Sequence, residues 1–106
     1  MNLDELKIRL KEYKPEDIIF SHHAEIRLLQ RNIPRKIMED SITNPVNLID
    51  FIEEEPERQK YRLIFELSHN RNLIVVAALG ARISVITALI RYRKWMRPIN
   101  LKDRKQ

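Results

Sequence analysis

With 106 residues and a net charge of +5, the chain has the size of one domain, and we expect a single domain over residues 1–106. Cysteine is absent, which excludes disulfide bonds and thiolate metal sites and favours a reducing cytoplasmic setting. No apolar run approaches the roughly 20 residues of a membrane-spanning helix, so we expect no membrane partner. The positive charge favours an anionic partner, such as RNA or an acidic protein.

The first half of the chain has helical spacing, and we predict helices near residues 3–13, 22–31 and 34–43. Ser21 is a suitable N-cap for the second helix, and Asn44-Pro45 ends the third. Residues 17–20 are interpreted as a short apolar link between helices. In the first helix, apolar side chains recur every three or four positions, at Leu3, Leu6, Leu10 and Tyr13.

The second half has the alternation of strands, predicted near 46–52, 59–68, 72–79 and 82–91. Short turns between successive strands favour antiparallel neighbours. We therefore predict an α+β fold in which N-terminal helices pack on one face of a four-stranded antiparallel sheet. The other face would be open to solvent or ligand, and the cations suited to line it are Arg58, Lys60, Arg62 and Arg82.

The second predicted helix carries the main candidate site, because His23, Arg27 and Arg31 follow one another at intervals of four residues. Such positions form one slightly slanting stripe on a helix. A group that titrates near neutrality then lies beside two permanent cations, a combination suited to a phosphodiester. The alternative interpretation is a solvated helix face that happens to be basic.

The C-terminal part of the chain is strongly basic, because from Arg82 onward Asp103 is the only acid among eight cations. This part interleaves cations with aromatic rings, a pattern that suits RNA because phosphates contact the cations and bases stack on the rings. The residues are Arg91, Tyr92, Arg93, Lys94 and Trp95. The same stretch suits an acidic protein partner, or a strand end whose Trp95 folds onto the core. Residues 98–106 form a basic tail.

Taken together, these motifs resemble a small domain family of unknown function that is grouped with RelE-type and BrnT-type toxins. That group belongs to the barnase–EndoU–colicin–RelE superfamily of metal-independent ribonucleases. The resemblance covers residues 17–97 and leaves residues 1–14 as an extra N-terminal helix. It rests on Ser21-x-His23-Ala24-x-x-Arg27-x-x-x-Arg31-x-Ile33, then Asn44-Pro45, Tyr61-Arg62, Val85-Ile86-Thr87 and Trp95.

The resemblance implies a RelE-like fold and an endoribonuclease that works without metal or cofactor. His23, Arg27 and Arg31 match the family's motif closely, whereas Tyr61 and Arg62 match it more loosely. RNA or the ribosome would be the target, and a small antitoxin protein a partner. The alternatives are a non-catalytic RNA- or ribosome-binding module, and a basic interaction domain for an acidic protein.

Cleavage of RNA by its own 2′-hydroxyl needs a base, an acid and cations for the phosphoryl oxygens. His23 can be base or acid, and Arg27 and Arg31 suit the oxygens because a guanidinium binds two at once. The second proton-transfer group stays open among Tyr61, Tyr92, His69 and His22. A metal site is not expected, because His22 and His23 would point roughly 100° apart on a helix.

Overall fold

The computed structural model describes residues 1–92 and has three helices and five strands. Arg93, Lys94, Trp95 and the basic tail at 98–106 therefore lie outside the described residues. No helix within the described part is long and apolar enough to cross a membrane. The elements are α1 (Leu3–Lys11), β1 (Ile18–Phe20), α2 (His22–Gln30), α3 (Arg35–Thr43), β2 (Leu48–Glu55), β3 (Lys60–Ser68), β4 (Arg71–Leu79) and β5 (Ile83–Tyr92).

The three predicted helices are present, and side chains at their ends explain where they begin and stop. α1 begins at a reciprocal cap, in which Asn2 and Glu5 each accept the other's backbone N–H at 2.8 Å. α2 begins at Ser21, as predicted, and ends where Asn32 adopts a positive φ of 54°. α3 ends at Thr43, directly before Asn44-Pro45.

The sheet has the order β1-β5-β4-β3-β2, and its last four strands form the predicted antiparallel meander. The prediction of a four-stranded antiparallel sheet is nevertheless wrong, because the sheet is mixed and has five strands. Residues 18–20, interpreted from sequence as a link, form β1 and pair parallel with β5 at Ile83–Val85. Three residues are too few for a period-two pattern, and their partner lies at the other end of the described chain.

All three helices cover one face of the sheet, where the core lies. α1 contributes Leu6 and Leu10, α2 contributes Ala24 and Leu28, and α3 contributes Met38 and Ile42, all buried against the strands. α1 is also tied to one end of the sheet, since the Tyr13 hydroxyl donates to the Gly80 carbonyl oxygen at 2.6 Å. The α+β class and the packing of helices on one face are therefore confirmed.

The opposite face of the sheet is mixed in character rather than uniformly basic. Arg62 ion-pairs with Glu54 at 2.6 Å, and Lys60 pairs with Glu55 at 3.4 Å. Apolar side chains occupy neighbouring positions on this face, among them Ile64, Ile74 and Val76. Lys60 and Arg62 are thus neutralised by strand neighbours.

Candidate functional site

The start of α2 is joined directly to β5, which fixes where the predicted stripe begins. The Ser21 hydroxyl accepts the Ala24 N–H at 3.0 Å, and the Ser21 N–H donates to the Val85 carbonyl oxygen at 3.2 Å. Ala24 and Leu28 then point into the core. His23 and Arg27 consequently lie on the outer side of the helix, His23 exposed and Arg27 half-buried.

His23 and Arg27 contact each other. The Arg27 Nε donates to His23 Nε2 at 3.3 Å, and its Nη1 donates to Gln30 Oε1 at 3.1 Å. The Nε2 atom of His23 is the acceptor in the first of these contacts. The guanidinium thus occupies the nitrogen that a general base would use.

Arg31 departs from the stripe and reaches the sheet instead. It is the residue that follows the last turn of α2, and its Nη1 donates to the Ala88 carbonyl oxygen of β5 at 2.7 Å. The chain reverses here because Asn32 is left-handed and the Ile33 N–H returns to the Leu28 carbonyl oxygen. The cation of Arg31 is therefore placed beside the middle of β5.

A cavity of about 510 Å³ lies next to Arg31, between the end of α2 and the paired ends of β4 and β5. Two guanidinium groups and one exposed phenol surround it, and no acidic side chain of residues 1–92 lines it. Tyr92 is 59% exposed there. We call this cavity the α2–β5 cavity; its lining residues are Arg31, Asn32, Arg71, Leu89, Ile90 and Tyr92.

Arg71 is a cation of the cavity that the sequence analysis missed. It opens β4 and is the register partner of Tyr92 in β5. The available signal was the β4–β5 hairpin itself, because pairing outward from the turn at Gly80 brings the beginning of β4 to the end of β5. Arg91, the neighbouring predicted residue, is exposed and pairs with Asn72.

Tyr61 lies in a different part of the molecule from His23 and the cavity. It is 6% exposed, its ring lies 6.0 Å from that of Phe51, and its hydroxyl donates to Glu53 Oε2 at 3.1 Å. Arg62 points to the opposite face of the sheet, where it pairs with Glu54. The structure therefore does not bring Tyr61 or Arg62 together with the α2 stripe.

Burial of Tyr61, and secondly its hydrogen bond to Glu53 and the charge of that carboxylate, raise the pKa of the phenol above its usual value of about 10. The folded chain holds this proton more tightly than the unfolded chain. The contribution of this proton to stability is therefore complete below about pH 10 and is lost as the pH rises through the raised pKa.

In an ultraviolet titration, Tyr61→Phe should remove a phenol that ionises above pH 10. Loss of a phenol that ionises at or below pH 10 would contradict the raised pKa of Tyr61.

None of the three histidines, His23 included, is among the residues that line the α2–β5 cavity. His22 is exposed at the first position of α2, and His69 is in the turn between β3 and β4. Within residues 1–92, no three His, Asp or Glu side chains are grouped closely enough to hold a metal ion. Comparisons with protein-family models, with curated proteins and with solved structures find no match to this chain.

Proposed function

We propose that this protein binds RNA at the α2–β5 cavity and cleaves it by attack of the RNA's own 2′-hydroxyl. The observation that carries the proposal is the convergence of Arg31, Arg71 and Tyr92 on one cavity, which no acidic side chain of the described part of the chain lines. Guanidinium groups bind phosphate oxygens in pairs, and a phenol ring stacks on an unpaired base. Such a set suits a single-stranded phosphodiester.

Each of these groups has a role in the proposed reaction. Arg31 and Arg71 hold the phosphoryl oxygens and stabilise the charge that develops on them. Arg27 turns from His23 to a phosphate, which frees Nε2 of His23 to take the proton of the 2′-hydroxyl. The oxygen then bonds to phosphorus, and the 5′-oxygen leaves with a proton.

Tyr92 is our candidate for the acid that protonates the leaving 5′-oxygen. Of the four groups that the sequence left open, it is the one that lines the cavity. Tyr61 is buried and bonded to Glu53, and neither His22 nor His69 is among the residues that line the cavity. The products would be a 2′,3′-cyclic phosphate and a free 5′-hydroxyl.

Kinship with RelE-type and BrnT-type toxins is part of the proposal. It is supported by the His23-Ala24-x-x-Arg27 element on α2 and by an α+β architecture with helices on one face. A cytoplasmic location and regulation by a small antitoxin follow from the same proposal.

The second candidate function is RNA binding without cleavage. It is favoured by the contact between Arg27 and His23, which leaves Nε2 without a free lone pair. His23 also precedes Arg31 by eight residues, or about 12 Å along a helix axis. In a binding module, the same cations would hold phosphates and no proton would move.

RNA cleavage separates the two functions. Under our proposal, the purified protein should cut single-stranded RNA in EDTA and leave a 2′,3′-cyclic phosphate, whereas DNA of the same sequence should survive because it lacks the 2′-hydroxyl. A binder would leave RNA intact and show an affinity that falls steeply with salt. RNA that remains intact after long incubation with the folded protein would refute the enzyme.

A further inference from the structure

Most of the outer edge of β5 has no described strand beside it. β1 covers only Ile83–Val85, and the Ser21 N–H extends that coverage to the Val85 carbonyl oxygen. From Ile86 to Tyr92, no other strand of the described chain pairs with this edge. An uncovered edge offers N–H and C=O groups to any extended chain that reaches it.

The residues that turn their backbone toward this edge can be identified from the pattern of burial. Within a strand, residues whose side chains share a face also direct their backbone groups to the same edge. Val85 and Ala88 are both buried on the helix side of the sheet, although they are three residues apart. Ile86, which has no register partner between Val76 and Ala77 of β4, is the extra residue that accounts for this spacing. Ala88, Ile90 and Tyr92 therefore present their N–H and C=O groups outward, and Arg31 already occupies the outward oxygen of Ala88.

The α2–β5 cavity runs along this edge. Leu89 and Ile90 are consecutive, so their side chains lie on opposite faces of the sheet, yet both line the cavity. Arg31, which also lines the cavity, bonds to the outward oxygen of Ala88, and this contact places the cavity beside the uncovered edge. It is flanked by the cations of Arg31 and Arg71.

We propose that the edge of β5 from Ala88 to Tyr92 binds an extended acidic peptide as a sixth strand. The peptide's backbone would pair with Ala88 and Ile90, and its carboxylates would meet Arg31 and Arg71. Arg31 would move from the Ala88 oxygen to a carboxylate, which leaves that oxygen free to accept a peptide N–H. The proposal does not depend on RNA cleavage, because peptide binding is measured without RNA.

Charge explains why the peptide would choose this edge over the other one. β2 forms the opposite edge of the sheet, and its exposed residues include Asp50 and Glu53. Carboxylates along an edge repel an acidic strand and protect the edge from pairing. The β5 edge is flanked by cations instead, so the two edges of the sheet differ in the sign of their charge.

The test uses a capped peptide of about eight residues in which Glu and Val alternate, a length typical of a strand. Calorimetry should show binding, and the amides of Ile90 and Tyr92 should become protected from hydrogen exchange when the peptide is present. A matched peptide that is N-methylated at alternate residues keeps every carboxylate but cannot pair along one edge. It should bind at least about tenfold more weakly, a difference of 1.4 kcal/mol.

Two variants locate the site. Arg31→Gln should weaken the peptide about threefold to tenfold, because one charged pair is lost. Arg58→Gln removes an exposed cation in the β2–β3 turn and should leave the affinity unchanged. Equal binding of the N-methylated peptide, or protection of β2 amides in place of Ile90 and Tyr92, would overturn the proposal.

Discussion

Replacing His23 with Ala should slow RNA cleavage by about 10²–10⁴-fold, the usual loss when a group that transfers a proton is removed. The expected effect is large because the proposed mechanism assigns removal of the 2′-hydroxyl proton to His23 alone. Affinity for RNA should change little, since the cations of Arg31 and Arg71 are untouched. Single-turnover cleavage rates, measured beside the dissociation constant, separate the two quantities.

His22→Ala is the matched control for this experiment. It removes the adjacent imidazole, which is also exposed and on the same helix, but points about 100° away. We expect the cleavage rate of this variant to equal that of the wild type. A loss that is the same for both variants would mean that His23 has no special role and that the helix start is merely disturbed.

Replacing Phe65 with Ala should destabilise the folded protein by about 3–5 kcal/mol, because a large ring leaves a cavity that its neighbours only partly fill. Phe65 is fully buried in β3, where it is the register partner of Leu48 on one side and Leu73 on the other. Domains of this kind have total stabilities of about 5–15 kcal/mol. The midpoint of urea unfolding should therefore fall sharply.

Leu29→Ala is the control for the loss of Phe65. Leu29 is also a large apolar residue, but it is 80% exposed on α2. Its removal should change the free energy of unfolding by about 0.5 kcal/mol or less. If Phe65→Ala proved equally mild, β3 would not be packed as described.

Patterns that are local in sequence predicted most of the fold. The alternation around Leu63 and Phe65 gave β3, and Ser21 gave the start of α2, because each depends on neighbours within a few residues. β1 could not be found in this way. Its three residues become a strand only through pairing with Ile83–Val85, a contact that no local pattern contains.

The candidate site was predictable to the same extent. The contact of His23 with Arg27 follows from their spacing on a helix, whereas Arg31 lies just past the helix end and turns to Ala88. Arg71 enters the cavity only through the register of β4 and β5. The position of Tyr61 next to Glu53 depends on the pairing of β2 with β3, which sequence alone did not fix.

The parallel pairing of β1 with β5 also governs when the molecule can be completed during synthesis. A contact between the beginning and the end of the described chain forms late, because all residues between them must first be present. Until the ribosome has released β5, α2 lacks the strand that it contacts most extensively, and Arg31 has no Ala88 oxygen to bind. A nascent chain therefore carries His23 and Arg31 without the assembled cavity, and any activity against RNA begins only after nearly the whole described chain has emerged.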